Sequence, residues 1–206
     1  VLHGWKMMPK DYEQGKRYPV VMFQYSGPAS QRVLNQWRKR WEEYLAAQNY
    51  VVVCVDGRGT NARGRDFRNA TYMHLGLKEA EDQISTAQYL QTLPYVDPQR
   101  IAITGWSYGG FESIMCLSKQ PRVKEGETPL FKCGISIAPV TSWRLYDSAY
   151  TERYMRRPQV NEAGYDGSDL TKMADQLQGN LLIVHGLADD NVHAQNTFLY
   201  TEALVQ

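Results

Sequence analysis

Six residues, Gly105-Trp106-Ser107-Tyr108-Gly109-Gly110, constrain this chain more than any other stretch. They follow a short apolar run, Arg100-Ile101-Ala102-Ile103-Thr104, that predicts a buried strand. After them, Phe111, Ile114, Met115 and Leu117 recur near helical spacing, which predicts a helix from Phe111 to Gln120. Gly-x-Ser-x-Gly between a strand and a helix is the setting of a nucleophile elbow. The sharp turn holds the Ser107 hydroxyl out at the strand's end, and small residues at 105 and 109 let strand and helix approach closely. The plain alternative is a glycine-rich turn with an incidental serine. The flanking strand and helix favour Ser107 as a catalytic nucleophile.

The rest of the chain supplies a matching frame. Val1 to Met8 reads as a strand, and Pro9 to Arg17 as a polar loop. Val20-Val21-Met22-Phe23-Gln24 is a buried strand stopped by Tyr25-Ser26-Gly27-Pro28. Asn35 to Gln48 predicts a helix with Trp37, Trp41, Tyr44 and Leu45 on one face. Tyr50 to Val55 is β-branched and nearly uninterrupted, as suits a strand of a covered parallel sheet. Asp56-Gly57-Arg58-Gly59 ends it, and a basic loop follows to about Ala70. The arginines of the stretch Asn61 to Arg68, Arg63, Arg65 and Arg68, lack a phosphate-cradling pattern, so a solvated loop is the better reading.

Gly76 to Leu93 predicts an amphipathic helix, with Glu79, Glu81 and Asp82 at the end the helix dipole favours for acids. Beyond the elbow come a charged loop (121–129), a strand over Cys133 to Ala138, an aromatic segment from Trp143 to Met155 and a linker-like polar loop (156–168). A short helix (170–177), a last strand (181–184) and a last helix (193–205) complete the chain. Strands and helices alternate with no repeat, which predicts one α/β domain with a mostly parallel sheet and helices on both faces. In such sheets chemistry gathers at the strands' carboxyl ends, where Tyr25, Asp56, Ser107, Pro139 and Asp189 all fall.

Composition narrows the function classes. A formal net charge of +1 over 206 residues gives no reason to expect nucleic acid or an anionic membrane as partner. No apolar stretch reaches the length of a membrane span, and no signal-peptide pattern opens the chain. Val1 begins inside an expected strand, so a piece of a longer protein is expected. Cys54, Cys116 and Cys133 show neither a C-x-x-C pair nor metal spacing and read as buried thiols. No metal or organic cofactor is implied.

A nucleophilic serine needs a base, an acid that orients the base, and donors for the oxyanion. In this architecture the chain order is serine, acid, histidine. The acid candidates lie in His185-Gly186-Leu187-Ala188-Asp189-Asp190-Asn191-Val192; either aspartate could also be an ordinary turn carboxylate, and the tandem acids favour a triad acid, Asp189 first. One oxyanion donor is expected from the backbone N–H of Tyr108. The second is expected from the loop after an earlier strand, which presents Tyr25; an amphipathic core tyrosine is the alternative.

These segments together resemble the prolyl oligopeptidase family of serine peptidases. The quoted stretches are Gly105 to Gly110, Tyr25-x-Gly27-Pro28, Asp56 to Gly59 and His185 to Val192. The run from Ala138-Pro139-Val140 through Trp143, Tyr146-Asp147-Ser148 and Tyr150-Thr151-Glu152-Arg153-Tyr154-Met155 is similar to the dipeptidyl peptidase IV branch. The resemblance, from about Tyr18 to Val192, implies an α/β-hydrolase fold with Ser107 as nucleophile, Asp189 as acid and Tyr25 as the hydroxyl half of the oxyanion hole. It implies that Tyr108, Val140, Trp143, Tyr146, Tyr150 and Val192 line a proline pocket and that Asn191 binds a substrate carbonyl. A helical core stripe is the other reading of Trp143, Tyr146 and Tyr150.

The implied partner is a peptide with proline at its second position. The resemblance also implies a β-propeller domain of the same protein and allows a homodimer. It alone suggests an extracytoplasmic, periplasmic or cell-surface, location. Nothing in the 206 residues corresponds to the propeller. None of His3, His74, His185 and His193 suits the triad base: three precede Asp189, and His193 follows it by too little chain. The base is expected in a segment beyond Gln206, so the fragment itself is expected to be inactive. The expected reaction is release of an N-terminal X-Pro dipeptide through an acyl-enzyme. An acylaminoacyl peptidase or esterase of the same fold, or a non-catalytic binding relative, are the rivals.

Overall fold

The computed structural model describes residues 1–36 and 41–206. Its frame is a six-stranded sheet in the order β1-β3-β2-β4-β5-β6. The strands are β1 (His3–Met7), β2 (Tyr18–Phe23), β3 (Val51–Asp56), β4 (Val96–Trp106), β5 (Cys133–Ile137) and β6 (Asn180–Val184). β1 pairs antiparallel with β3, and every other pairing is parallel. The helices are α1 (Trp41–Ala47), α2 (Arg65–Arg68), α3 (Leu77–Gln91), α4 (Tyr108–Lys119), α5 (Ser148–Met155), α6 (Glu162–Gly167) and α7 (Gln195–Val205). No helix among the described residues is long and apolar enough to cross a membrane.

The core follows from alternation along the strands. Val20 and Met22 of β2, Val51, Val53 and Val55 of β3, and Ile101 and Ile103 of β4 project into one cluster with Phe111, Ile114, Met115 and Leu117 of α4. Removing that much β-branched and aromatic surface from water is the main stabilising contribution, at about 25 cal/mol per Å² of apolar area. Both helix predictions around this core hold, with α3 and α4 packed on each other. The other face is less covered. α1 packs on β1 and β3, whereas Ile135 and Ile137 of β5 and Leu182 and Val184 of β6 are exposed there.

Four local expectations differ. The basic loop after β3 contains a helical turn, α2, followed by a 3-10 turn at Asn69–Thr71. The linker-like segment after α5 is partly helical, as α6, because the buried Asn161 amide donates to the Met73 and Met155 carbonyls, each at 2.9 Å, and ties it to the body. β4 starts at Val96, earlier than its apolar run, so Asp97-Pro98 lies within it. Within the helix expected from Asn35 to Gln48, the residues Trp37 to Arg40 lie outside the described set. In its described part the buried residue is Ala46, and Trp41 stacks on Tyr44 in solvent with ring centroids 5.1 Å apart.

Candidate active site

Three of the strands that end at the same edge finish in sharp turns. Ser26 after β2, Ser107 after β4 and Ala138 after β5 have φ of 65°, 55° and 46°. Such values are uncommon for residues with a Cβ and cluster at functional sites. Ser107, with ψ of −118°, sits between β4 and α4 as the elbow requires. Its N–H donates to the Ile137 carbonyl at 2.8 Å, and its own carbonyl accepts from the Phe111 N–H at 3.0 Å. The turn is therefore held from β5 on one side and by the helix on the other.

The small residues of the motif have a geometric cause. A Cβ at Gly109 would lie 2.7 Å from the Gln24 carbonyl oxygen, and one at Gly105 would lie 2.7 Å from the Gly109 carbonyl carbon. Both clashes are with backbone, which cannot step aside. This close approach lets a buried side chain join the two turns. Gln24 Nε2 donates to the Gly109 carbonyl at 2.7 Å and to Ser113 Oγ at 3.0 Å, and its Oε1 accepts from Ser26 Oγ at 3.0 Å. Gln24 immediately precedes Tyr25, so one amide couples the Tyr25 turn to the first turn of α4. Nothing in the sequence pattern singled it out. A polar residue closing an apolar strand was the available signal.

The predicted site residues fall into two connected groups. In the first, the Tyr25 ring lies 5.5 Å from Trp106 and 6.2 Å from Tyr108, centroid to centroid. Tyr108 is fully buried, packs 5.3 Å from Trp143, and donates its hydroxyl to Glu79 Oε1 at 2.8 Å. Trp143 stacks on Tyr150 and meets Tyr146 edge-on, both at 6.0 Å, and Tyr150 meets Tyr154 at 4.9 Å. Val140, Trp143 and Val192 are core residues at 2 % exposure or less, whereas Tyr146 and Tyr150 are only partly covered. Burial raises the hydroxyl pKa of Tyr146 and Tyr150, so both stay neutral donors across the physiological range. Burial likewise raises Tyr108.

In the second group, Asp189 Oδ1 accepts the N–H of Asn191 at 3.1 Å and of Val192 at 2.9 Å, which folds the loop after β6. Oδ2 lies 3.7 Å from His185 Nε2. His185 is occupied elsewhere: Nε2 lies 2.7 Å from the Val192 carbonyl and Nδ1 lies 2.6 Å from Thr197 Oγ1. The groups meet where Tyr146 donates its hydroxyl to Asn191 Oδ1 at 2.8 Å. Among the described residues no histidine hydrogen-bonds Ser107. No group of three or more His, Cys, Asp and Glu able to hold a metal occurs among them either. A cavity of about 440 Å³ flanks the aromatic row, sharing Tyr154 with it and Pro28 with the Tyr25 turn; Tyr72, Arg68 and Arg153 also line it.

A mostly parallel sheet with a strained serine between β4 and the following helix, and an aspartate on the loop after β6, defines an α/β-hydrolase fold. Residues 37–206 match the family model described as the prolyl oligopeptidase family, and the chain belongs to that family. It is 46% identical over 198 residues to "Probable dipeptidyl-aminopeptidase B" of Pyrenophora tritici-repentis (strain Pt-1C-BFP), covering 95% of this chain and 22% of that one. The protein of the same description from Colletotrichum graminicola (strain M1.001 / M2 / FGSC 10212) is 48% identical over 199 residues, covering 95% and 21%. The crystal structure of Porphyromonas gingivalis dipeptidyl peptidase 4 superposes with a TM-score of 0.93 at 55% identity, covering 100% of this chain and 28% of that chain. The chain thus spans roughly a fifth of the length of these curated relatives, which are named as dipeptidyl-aminopeptidases.

Proposed function

We propose that this chain is the nucleophile-bearing part of a serine exopeptidase that releases N-terminal X-Pro dipeptides through an acyl-enzyme. The observation that carries the reading is the strained Ser107 beside an aromatic row made of Tyr108, Trp143, Tyr146 and Tyr150. A pyrrolidine ring is flat, rigid and apolar, so aromatic walls hold it without a charged partner. On this reading the Ser107 hydroxyl attacks the carbonyl after proline, and the Tyr108 N–H and the Tyr25 hydroxyl donate to the oxyanion. Asn191 donates its amide N–H₂ to a substrate carbonyl while its Oδ1 accepts the Tyr146 hydroxyl. Asp189, already oriented by two backbone N–H groups, holds the triad histidine.

That histidine comes from outside the 206 residues, because His185 is engaged with Thr197 and Val192 and His193 opens the run into α7. A β-propeller of the same protein, contributing the groups that hold the substrate's free amine, belongs to the same reading. The test uses an organofluorophosphonate probe on the protein extended to its relatives' length. Ser107→Ala should abolish labelling, while Ser113→Ala and Ser136→Ala should not; labelling that survives Ser107→Ala refutes the nucleophile. The 206-residue chain alone should show no turnover of Gly-Pro-p-nitroanilide. Turnover by it that is lost on His193→Ala would place the base inside the chain instead.

A further inference from the structure

Glu79 is a charged residue that the proposed reaction leaves unused, and it touches the residue next to the nucleophile. It sits in the first turn of α3 with no exposed surface. Both carboxyl oxygens are engaged: Oε1 accepts the Tyr108 hydroxyl at 2.8 Å and Oε2 accepts the Gly76 N–H at 3.1 Å. Gly76 has φ of +87°, and a Cβ there would press on the Phe111 ring, so the anchor at that end is backbone that no other residue could replace. At the other end the Tyr108 ring is wedged among Tyr25, Phe111 and Trp143, at centroid distances of 6.2, 5.4 and 5.3 Å.

We infer that Glu79 is a positioning residue for the candidate active site: clamped to the Gly76 amide, it fixes the Tyr108 side chain and through it the Tyr108 N–H that faces the oxyanion. This rests on the reading of Ser107 and Tyr108 given above. The alternative for a buried glutamate at the third position of a helix is a capping role, with its carboxyl serving only the preceding N–H. Capping explains the Gly76 bond but not the second bond to Tyr108. The groups facing Glu79 are Tyr108, Glu112 and Cys116 from α4, Asp82 from its own helix and Tyr150 from α5. Burial pushes the Glu79 carboxyl up to about 7, so near neutral pH a substantial share of molecules carries the acceptor-only carboxylate that takes both bonds.

The experiment compares Glu79→Gln, Tyr108→Phe and the double variant in the protein extended to its relatives' length, with Gly-Pro-p-nitroanilide and the fluorophosphonate probe. Gln keeps the volume but offers one acceptor oxygen, and Phe removes only the hydroxyl. Each single variant should lose about ten- to a hundredfold in kcat with KM nearly unchanged, as a small displacement of an oxyanion donor would. The double variant should lose no more than the worse single one, since both substitutions act on the same Gly76–Glu79–Tyr108 clamp. If Glu79→Gln does not fold, Tyr108→Phe alone decides. A wild-type kcat in Tyr108→Phe, or losses that multiply in the double variant, would overturn the inference and leave the nucleophile reading intact. Absence of Ser107 labelling in the wild type would overturn both.

Discussion

Replacing Ser107 by glycine and by alanine separates the strain of the elbow from its chemistry. Neither variant has a hydroxyl, and both keep the Ser107 N–H bond to Ile137. They differ in the Cβ, which is what makes φ of 55° and ψ of −118° costly. A residue held in such a region stores about 1–3 kcal/mol. Glycine relieves that strain but loses about 0.5–1 kcal/mol relative to alanine through the freedom of the unfolded chain. The difference leaves Ser107→Gly more stable than Ser107→Ala by about 0–2.5 kcal/mol. In a domain of this size each kcal/mol moves the midpoint by about 2–4 °C, so Ser107→Gly should melt a few degrees above Ser107→Ala. Thermal unfolding followed by circular dichroism, with urea melts as a second measure, reads this directly. A Ser107→Gly variant that melts below Ser107→Ala would mean that the turn is unstrained, and Ser107 would lack the backbone signature of a nucleophile elbow.

Tyr25→Phe removes one hydroxyl and keeps the ring against Trp106, so kcat should fall by roughly two to three orders of magnitude with little change in KM; a loss confined to KM would assign Tyr25 to substrate binding. Trp143→Ala or Tyr146→Ala should reduce kcat/KM on Gly-Pro substrates far more than on Gly-Ala substrates, and equal losses on both would make these rings core packing. Stability should also depend on pH through Glu79. Its carboxyl is raised by burial from 4.5 to about 7, and burial raises Glu112 as well. A carboxyl raised on folding is more protonated in the folded state, so its stabilisation is complete below about 4.5 and is lost as pH rises through about 7. Melts between pH 5 and 8 should show the wild type losing stability relative to Glu79→Gln across that window; parallel curves would show that Glu79 does not titrate there.

The parts of the fold legible in the sequence are those fixed by short-range pattern. The β-branched run of β3 and the apolar run in β4 have only one reading as covered strands, and the elbow lies where strand meets helix. Tyr146 and Tyr150 were open between core stripe and pocket wall on spacing alone, and the structure leaves both partly exposed beside a buried Trp143. What was illegible depends on long-range partners. Glu79 reads only as a dipole-favoured acid at a helix start, yet Tyr108, 29 positions away, takes it inside. The Gly76-x-x-Glu79 spacing is a capping signal, but no local pattern indicates the second bond. Trp41 and Tyr44 carry the opposite lesson: an apolar face predicts burial only where a partner surface exists, and their half of α1 has none among the described residues.

The Gln24 amide also has a consequence for motion. Because it bonds to Gly109, Ser113 and Ser26 at once, the Tyr25 turn and the elbow form a single rigid unit. On the proposed reading, Tyr25, the Tyr108 N–H and Ser107 therefore keep their mutual geometry whether or not substrate is present. An opening that admits a peptide is expected across the other seam, where among the described residues only the Tyr146–Asn191 hydrogen bond spans from the aromatic segment to the loop after β6. That bond is exposed and single, so it breaks at little cost. On that reading gating falls to the Tyr146 side of the site, while Tyr25, Tyr108 and Ser107 stay pre-assembled.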